Sequence, residues 1–153
     1  MDRGAAAVAA EPTVRARVAD FTADFASIRR VRETVFVDEQ RVPRELEFDA
    51  RDPRCFHVLV FDGDLAIGTG RLDLDYGGKV GRVAVVASHR RSGVGTAVME
   101  RLHSIARERK HARLWCHAQL TAVPFYERLG YVSSGPVFEE AGIDHVRMDY
   151  TLR

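Results

Sequence analysis

The stretch Val83-Ala84-Val85-Val86-Ala87-Ser88-His89-Arg90-Arg91-Ser92-Gly93-Val94-Gly95-Thr96 limits the fold of this chain more than any other part of it. The apolar run through Val86 reads as a buried strand, and Ala87 to His89 break it. The glycines then open a long amphipathic helix with Val94, Val98, Leu102, Ile105 and Ala106 on one face. A helix start leaves its first N–H groups without intrahelical acceptors and carries the positive end of the dipole. Glycine at that point removes the Cβ that would hold a phosphate away from the main chain. A strand followed by Arg-x-x-Gly-x-Gly and a helix therefore predicts a cradle for a diphosphate-bearing cofactor. Its amides come from Arg91, Ser92, Gly93, Val94, Gly95 and Thr96, with Arg90 and Arg91 adding charge at the rim.

The elements around this junction can be read from periodicity and turn chemistry. Thr13 to Val18 alternates weakly as a first strand. Asp20 or Thr22 can cap a helix carrying Phe21, Phe25, Ile28, Val31 and Val35, which fades between Phe36 and Gln40. Arg41 to Arg54, broken by Pro43 and Pro53, reads as loop with one short helical turn. A three-strand meander follows: Cys55 to Phe61, Leu65 to Leu74 and Lys79 to Val86, joined at Asp62-Gly63-Asp64 and Tyr76-Gly77-Gly78. Gly68 and Gly70 weaken its middle strand or mark a bulge. After the long helix come a strand (Arg113 to Ala118), a helix (Thr121 to Leu129, stopped by Gly130) and two closing strands. Those are Tyr131-Val132 and His145 to Leu152, with Ser133 to Asp144 as the loop between them. The order predicts an α/β domain over residues 13–153, a mixed sheet of six or seven strands with helices on both faces. Residues 1–12 are expected to form a loose tail.

The 153 residues suffice for one buried core, and a net charge of +1 excludes bulk attraction to nucleic acid or to an acidic membrane. No apolar run approaches the ~18–20 residues that span a bilayer, and Met1 to Pro12 lacks the basic start and apolar core of a secretory signal, so a cytoplasmic location is expected. Cys55 and Cys116 sit in apolar runs without CxxC spacing and read as small buried hydrophobes. The six histidines show no metal-ligand spacing, and neither a phosphate-binding GxxxxGK[ST] run nor a GxSxG elbow is present.

This element order, with the arginine–glycine turn after the third meander strand, resembles the GNAT superfamily of acyl-CoA-dependent N-acyltransferases. Arg90, Gly93 and Gly95 match its pyrophosphate motif, Val85 its lead-in, and Ala122-Val123-Pro124-Phe125-Tyr126-Glu127-Arg128-Leu129-Gly130-Tyr131 its Ala-x-x-Phe-Tyr-x-x-x-Gly-Phe motif. Gln119 stands where the family often has Asn. Val35 to Pro43, Thr69-Gly70-Arg71 and Phe138 to His145 are similar to a bacterial branch of small GNAT proteins.

The resemblance implies acetyl-CoA as acyl donor, no metal, and direct attack by a primary amine of a small molecule or of a peptide. It implies that the strand of Val83, Ala84, Val85 and Val86 splays from its neighbour. Its free backbone then holds the pantetheine arm, and an N–H near Val85 or Val86 polarises the thioester carbonyl. Tyr126 matches the general acid, with Gln119 and Tyr126 also beside the cofactor. Glu39, Glu47, His117 or a bridging water can take the proton from the amine, with Glu39 placed at a helix end beside Gln40. Arg71, Arg82 and His145 can meet an anionic group of the acceptor, or the arginines pair with Asp73 or Asp75. A homodimer is among the expected assemblies. A non-catalytic acyl-CoA-binding domain and a transferase of longer acyl chains are the alternatives.

Overall fold

A computed structural model describes residues 14–153; the expected tail, and Thr13 at the start of the first strand, lie outside them. The chain runs β1 (Val14–Ala19), α1 (Phe25–Arg32), α2 (Arg44–Glu47), β2 (Phe56–Asp62), β3 (Leu65–Asp73), β4 (Lys79–Val85), α3 (Val94–Glu108), β5 (Arg113–Gln119), α4 (Val123–Arg128), β6 (Val132–Glu140) and β7 (Ile143–Thr151). The strands form one seven-stranded sheet in the order β1-β2-β3-β4-β5-β7-β6. Every neighbouring pair is antiparallel except β4 with β5, which are parallel.

Strand alternation sends the two main helices to opposite faces. Gly68 and Gly70 on β3 face α3: a Cβ on Gly68 would stand 2.7 Å from Val94, and one on Gly70 2.6 Å from Val98. These glycines bring α3 down onto the sheet, where Val98, Met99 and Leu102 are fully buried. The other face of β3 carries Arg71, which reaches toward the segment after α1. Arg32 at the end of α1 is fully buried, pairing with Glu47 and with Asp52, each at 2.7 Å. Asp52 also takes Arg71 at 2.8 Å, and Asp49 takes Arg71 at 2.8 Å. This network pins the charged stretch 44–54 to the sheet. Leaving a buried charge without its partner costs roughly 3–5 kcal/mol, so each member is needed once the others are present. Arg71 thus pairs with Asp49 and Asp52, whereas Asp73 is taken by Arg51 at 2.7 Å.

One reading of the sequence is corrected. Ser133 to Asp144 is not a loop: β6 runs to Glu140 and turns at Ala141-Gly142. Its serines and Gly135-Pro136 look like loop composition, yet an edge strand pairs on one side only, and a register shift between Ser134 and Phe138 absorbs the proline. The first helix ends within the expected Phe36 to Gln40 stretch, and its last part, Glu33–Glu39, is a π-helix with Val35 and Phe36 still buried. Among the described residues no helix is long and apolar enough to cross a membrane, and no metal-holding cluster of His, Cys, Asp or Glu is present.

Candidate active site

The parallel strands β4 and β5 are paired only at Lys79 with Trp115 and Val80 with Cys116. Beyond that point they part, leaving a V-shaped opening in the middle of the sheet. On the far side of β4 the ladder to β3 carries a bulge, in which Gly70 faces both Arg82 and Val83. Arg82 takes a left-handed backbone there, with φ of 53°. Its guanidinium donates to the Glu47 carbonyl at 3.0 Å and lies 3.3 Å from the Asp49 carboxylate.

Hydrogen-bond parity decides which β4 amides are available. Val86 donates its N–H to the Ile67 carbonyl at 2.9 Å, so it is spent on the ladder to β3. Antiparallel alternation then turns the N–H and C=O of Val85 toward the open side. Arg90 Nε donates to that Val85 carbonyl at 2.9 Å, and by the same parity the Val85 N–H is turned toward the parting. Of the two amides expected near the thioester, that of Val86 is spent in the ladder to β3, and the Val86 side chain belongs to the core.

The turn after β4 delivers Gly93, at φ of 85°, as the residue before α3, and Arg91 is left-handed as well, with φ of 62°. No side chain caps this helix, and its first closed turn runs from the Ala97 N–H to the Gly93 carbonyl. The amides of Val94, Gly95 and Thr96 are therefore open to an anion, with the helix dipole behind them. Beside Gly93 there is nothing within 4 Å of where a Cβ would stand. Gly95 is different: a Cβ there would meet the Phe125 ring at 3.1 Å, so this glycine serves helix packing against α4. Val94 buries its side chain, and Ser92 turns its hydroxyl inward to the His89 carbonyl at 2.5 Å.

A cleft of about 680 Å³ occupies the parting, lined by Val83, Ala84, Val85, Gln119 and Tyr126 among others. Tyr126 is 7% exposed, packed edge-on against Phe125 and Tyr131, and burial raises its pKa, which keeps the phenol protonated. Two adjacent residues at the end of the π-helix tie the arms of the V together. Glu39 holds Arg90 with two hydrogen bonds of 2.6 Å, and Gln40 accepts a hydrogen bond from the Gln119 amide at 2.9 Å. The pairing of Gln40 with Gln119, 79 positions away, is one that short-range sequence pattern does not show. The Arg90 hydrogen bonds hold Glu39 below the usual carboxylate range. Each of its oxygens accepts one of these hydrogen bonds, so Glu39 holds the Arg90 guanidinium at the rim of the cleft. His117 also lines the cleft; burial lowers its pKa, and its Nδ1 stands 3.4 Å from Glu140. His145 lies 3.9 Å from the same carboxylate. Glu47 has a raised pKa from burial but is engaged with Arg32.

Residues 19–152 match the family model described as an acetyltransferase (GNAT) domain. The chain belongs to the GNAT acetyltransferase family. YjcF of Bacillus subtilis, an uncharacterized N-acetyltransferase, is 42% identical over 120 residues, which make up 77% of this chain and 86% of YjcF. A crystal structure from Lactobacillus plantarum carrying an N-acetyltransferase designation superposes with a TM-score of 0.83 at 28% identity, covering 92% of this chain and 99% of the other. An acyl-CoA N-acyltransferase structure from Pseudomonas aeruginosa shares the fold, with a TM-score of 0.78 at 24% identity over 89% of this chain and 98% of that one. This GNAT chain is an acyl-CoA-dependent N-acetyltransferase.

Proposed function

We propose that the protein transfers an acetyl group from acetyl-CoA to a primary amine of a small molecule, by direct attack within a complex of enzyme and both substrates. The observation that carries this reading is the parting of β4 from β5 after Val80 and Cys116, which opens main-chain groups of β4 onto a cleft beside an uncapped helix start. The chain's features fit an acyl-CoA: open space at Gly93 and free amides at Val94, Gly95 and Thr96 for the diphosphate, and a strand edge for the pantetheine arm. When bound, the coenzyme supplies the activated thioester carbonyl.

The chain's own groups have distinct tasks. The Val85 N–H donates to the carbonyl oxygen as negative charge develops, a contribution worth about 3–4 kcal/mol in well-aligned sites. Tyr126, held neutral by burial, donates its phenolic proton to the departing thiolate. His117, kept neutral by burial, accepts a proton from the incoming ammonium, while Glu140 orients the ring and supports the charge it gains. Glu39 is a positioning residue that holds Arg90 and, through it, the Val85 carbonyl.

Release of free thiol from acetyl-CoA with a panel of primary amines tests the assignment, together with calorimetric titration of the coenzyme. Tyr126→Phe is expected to lower kcat about 100-fold while leaving coenzyme affinity within a factor of about two. Wild-type turnover by a folded Tyr126→Phe protein would remove the acid assignment. Failure of the wild-type protein to bind coenzyme A at millimolar concentration would remove the whole reading.

A further inference from the structure

Three cationic side chains from β4 and its following turn line the cleft, and two of them are satisfied. Arg82 is paired with Glu47 and Asp49, and Arg90 with Glu39. Lys79 is the exception: among the described residues no carboxylate lies within ion-pair distance of its ammonium. Its Nζ instead stands 5.0 Å from the Trp115 ring centre and 5.8 Å from that of Tyr76. Ring faces attract a cation but provide no counter-charge. Glu140, whose field reaches Lys79, is shared between His117 and His145. Arg147, which also lies against Trp115 at 4.4 Å, has its own partner in Asp149 at 3.0 Å.

The place of Lys79 in the fold gives this exception a meaning. It pairs with Trp115 at the closed end of the V, whereas the diphosphate cradle lies past the other end of β4. Lys79 and Val85 are six residues apart on one strand, a span of roughly 20 Å. A donor held along the open half of β4 therefore leaves the Lys79 end to the acceptor. Burial lowers the Lys79 pKa, as expected for an ammonium partly stripped of water and still lacking its anion.

Building on the transferase reading, we propose that Lys79 is the recognition point for a carboxylate on the acceptor, so that the substrates are amines that carry a carboxylate at the far end of the molecule, such as ω-amino acids. The carboxylate pairs with the ammonium at the closed end, and the amine is thereby directed back toward the open arms and His117. One lysine next to Glu140 balances a single negative charge. A phosphorylated amine, with nearly two, is met by a field that already contains a carboxylate.

The test is a comparison of kcat/KM for matched pairs: γ-aminobutyrate against propylamine and 6-aminohexanoate against pentylamine, with phosphoethanolamine as the alternative anion. The wild-type protein is expected to favour the carboxylated member of at least one pair by about 10-fold or more, through KM. Lys79→Met should collapse that ratio toward one, Lys79→Arg should restore part of it, and Lys79→Glu should invert it. KM for acetyl-CoA should stay within about two-fold in all three. Turnover of simple amines with no preference for a carboxylated partner overturns the subsite while leaving the transferase reading intact. A preference that survives Lys79→Glu, or a preference for phosphoethanolamine, overturns the subsite in the same way. No turnover with any amine overturns both.

Discussion

Single residues in this site divide by what their neighbours leave them free to do. The two glycines of the Arg-x-x-Gly-x-Gly run look equivalent in sequence, yet only Gly93 borders open space; Gly95 lies against Phe125. Gly93→Trp should therefore weaken coenzyme A binding by more than 10-fold, seen by calorimetry, in a protein that still unfolds cooperatively. Gly95→Ala acts by another route. Displacing the Phe125 ring, next to Tyr126, should lower kcat more than it changes coenzyme affinity. Glu39 shows the same divide. Because both its oxygens hold Arg90, Glu39→Gln is expected to cost less than about 10-fold in kcat and to leave the acidic limb of the pH–rate profile in place. A loss near 100-fold with that limb abolished would return the base role to Glu39.

At the scale of elements, the sequence announced whatever depended on short-range pattern. The turn before α3, the meander and the helix carrying Tyr126 were legible because glycine positions, alternation and helical spacing are local signals. What it concealed depends on long-range partners. β6 hides because one-sided pairing tolerates serine, glycine and proline. The π-helical end of the first helix hides because Glu39 and Gln40 matter through Arg90 and Gln119, residues 51 and 79 positions away. The glycines of β3 stood out as weak points in a strand, but their purpose appears only when α3 is laid across them. Gly70→Val makes that purpose measurable. Its Cβ alone would sit 2.6 Å from Val98, so the substitution should destabilise the fold by about 1–3 kcal/mol or more in urea unfolding. It should also lower coenzyme affinity, because lifting α3 moves its N-terminal amides away from β4.

Across the whole molecule, acid should loosen the side of the sheet that carries α3 before it breaks the arginine network. His103 on α3 is buried, accepts or donates a 2.7 Å hydrogen bond with the Tyr131 hydroxyl, and stacks on Tyr150 at 4.7 Å. Burial and the nearby Arg107 depress its pKa to about 4, from an ordinary value of 6.5. A depressed histidine means that the unfolded chain takes up a proton which the folded protein refuses. Its contribution is whole above pH 6.5 and drains away as pH falls toward 4, up to about 3 kcal/mol for this single site. The carboxylates follow in a lower window. Asp49, held at about 2 against burial by its hydrogen bonds to Arg71, gives up its share only below its ordinary value of 3.8. Urea unfolding of the wild-type protein should therefore show a loss of about 2 kcal/mol or more between pH 7 and pH 4.5, with further loss below pH 4. His103→Gln keeps a partner for Tyr131 but cannot titrate, so it should flatten the first decline and leave the second in place. The residual slope in that variant belongs to His57 and His117, both also depressed by burial. An unchanged decline in His103→Gln would move the acid sensitivity of the fold from α3 to those two strands.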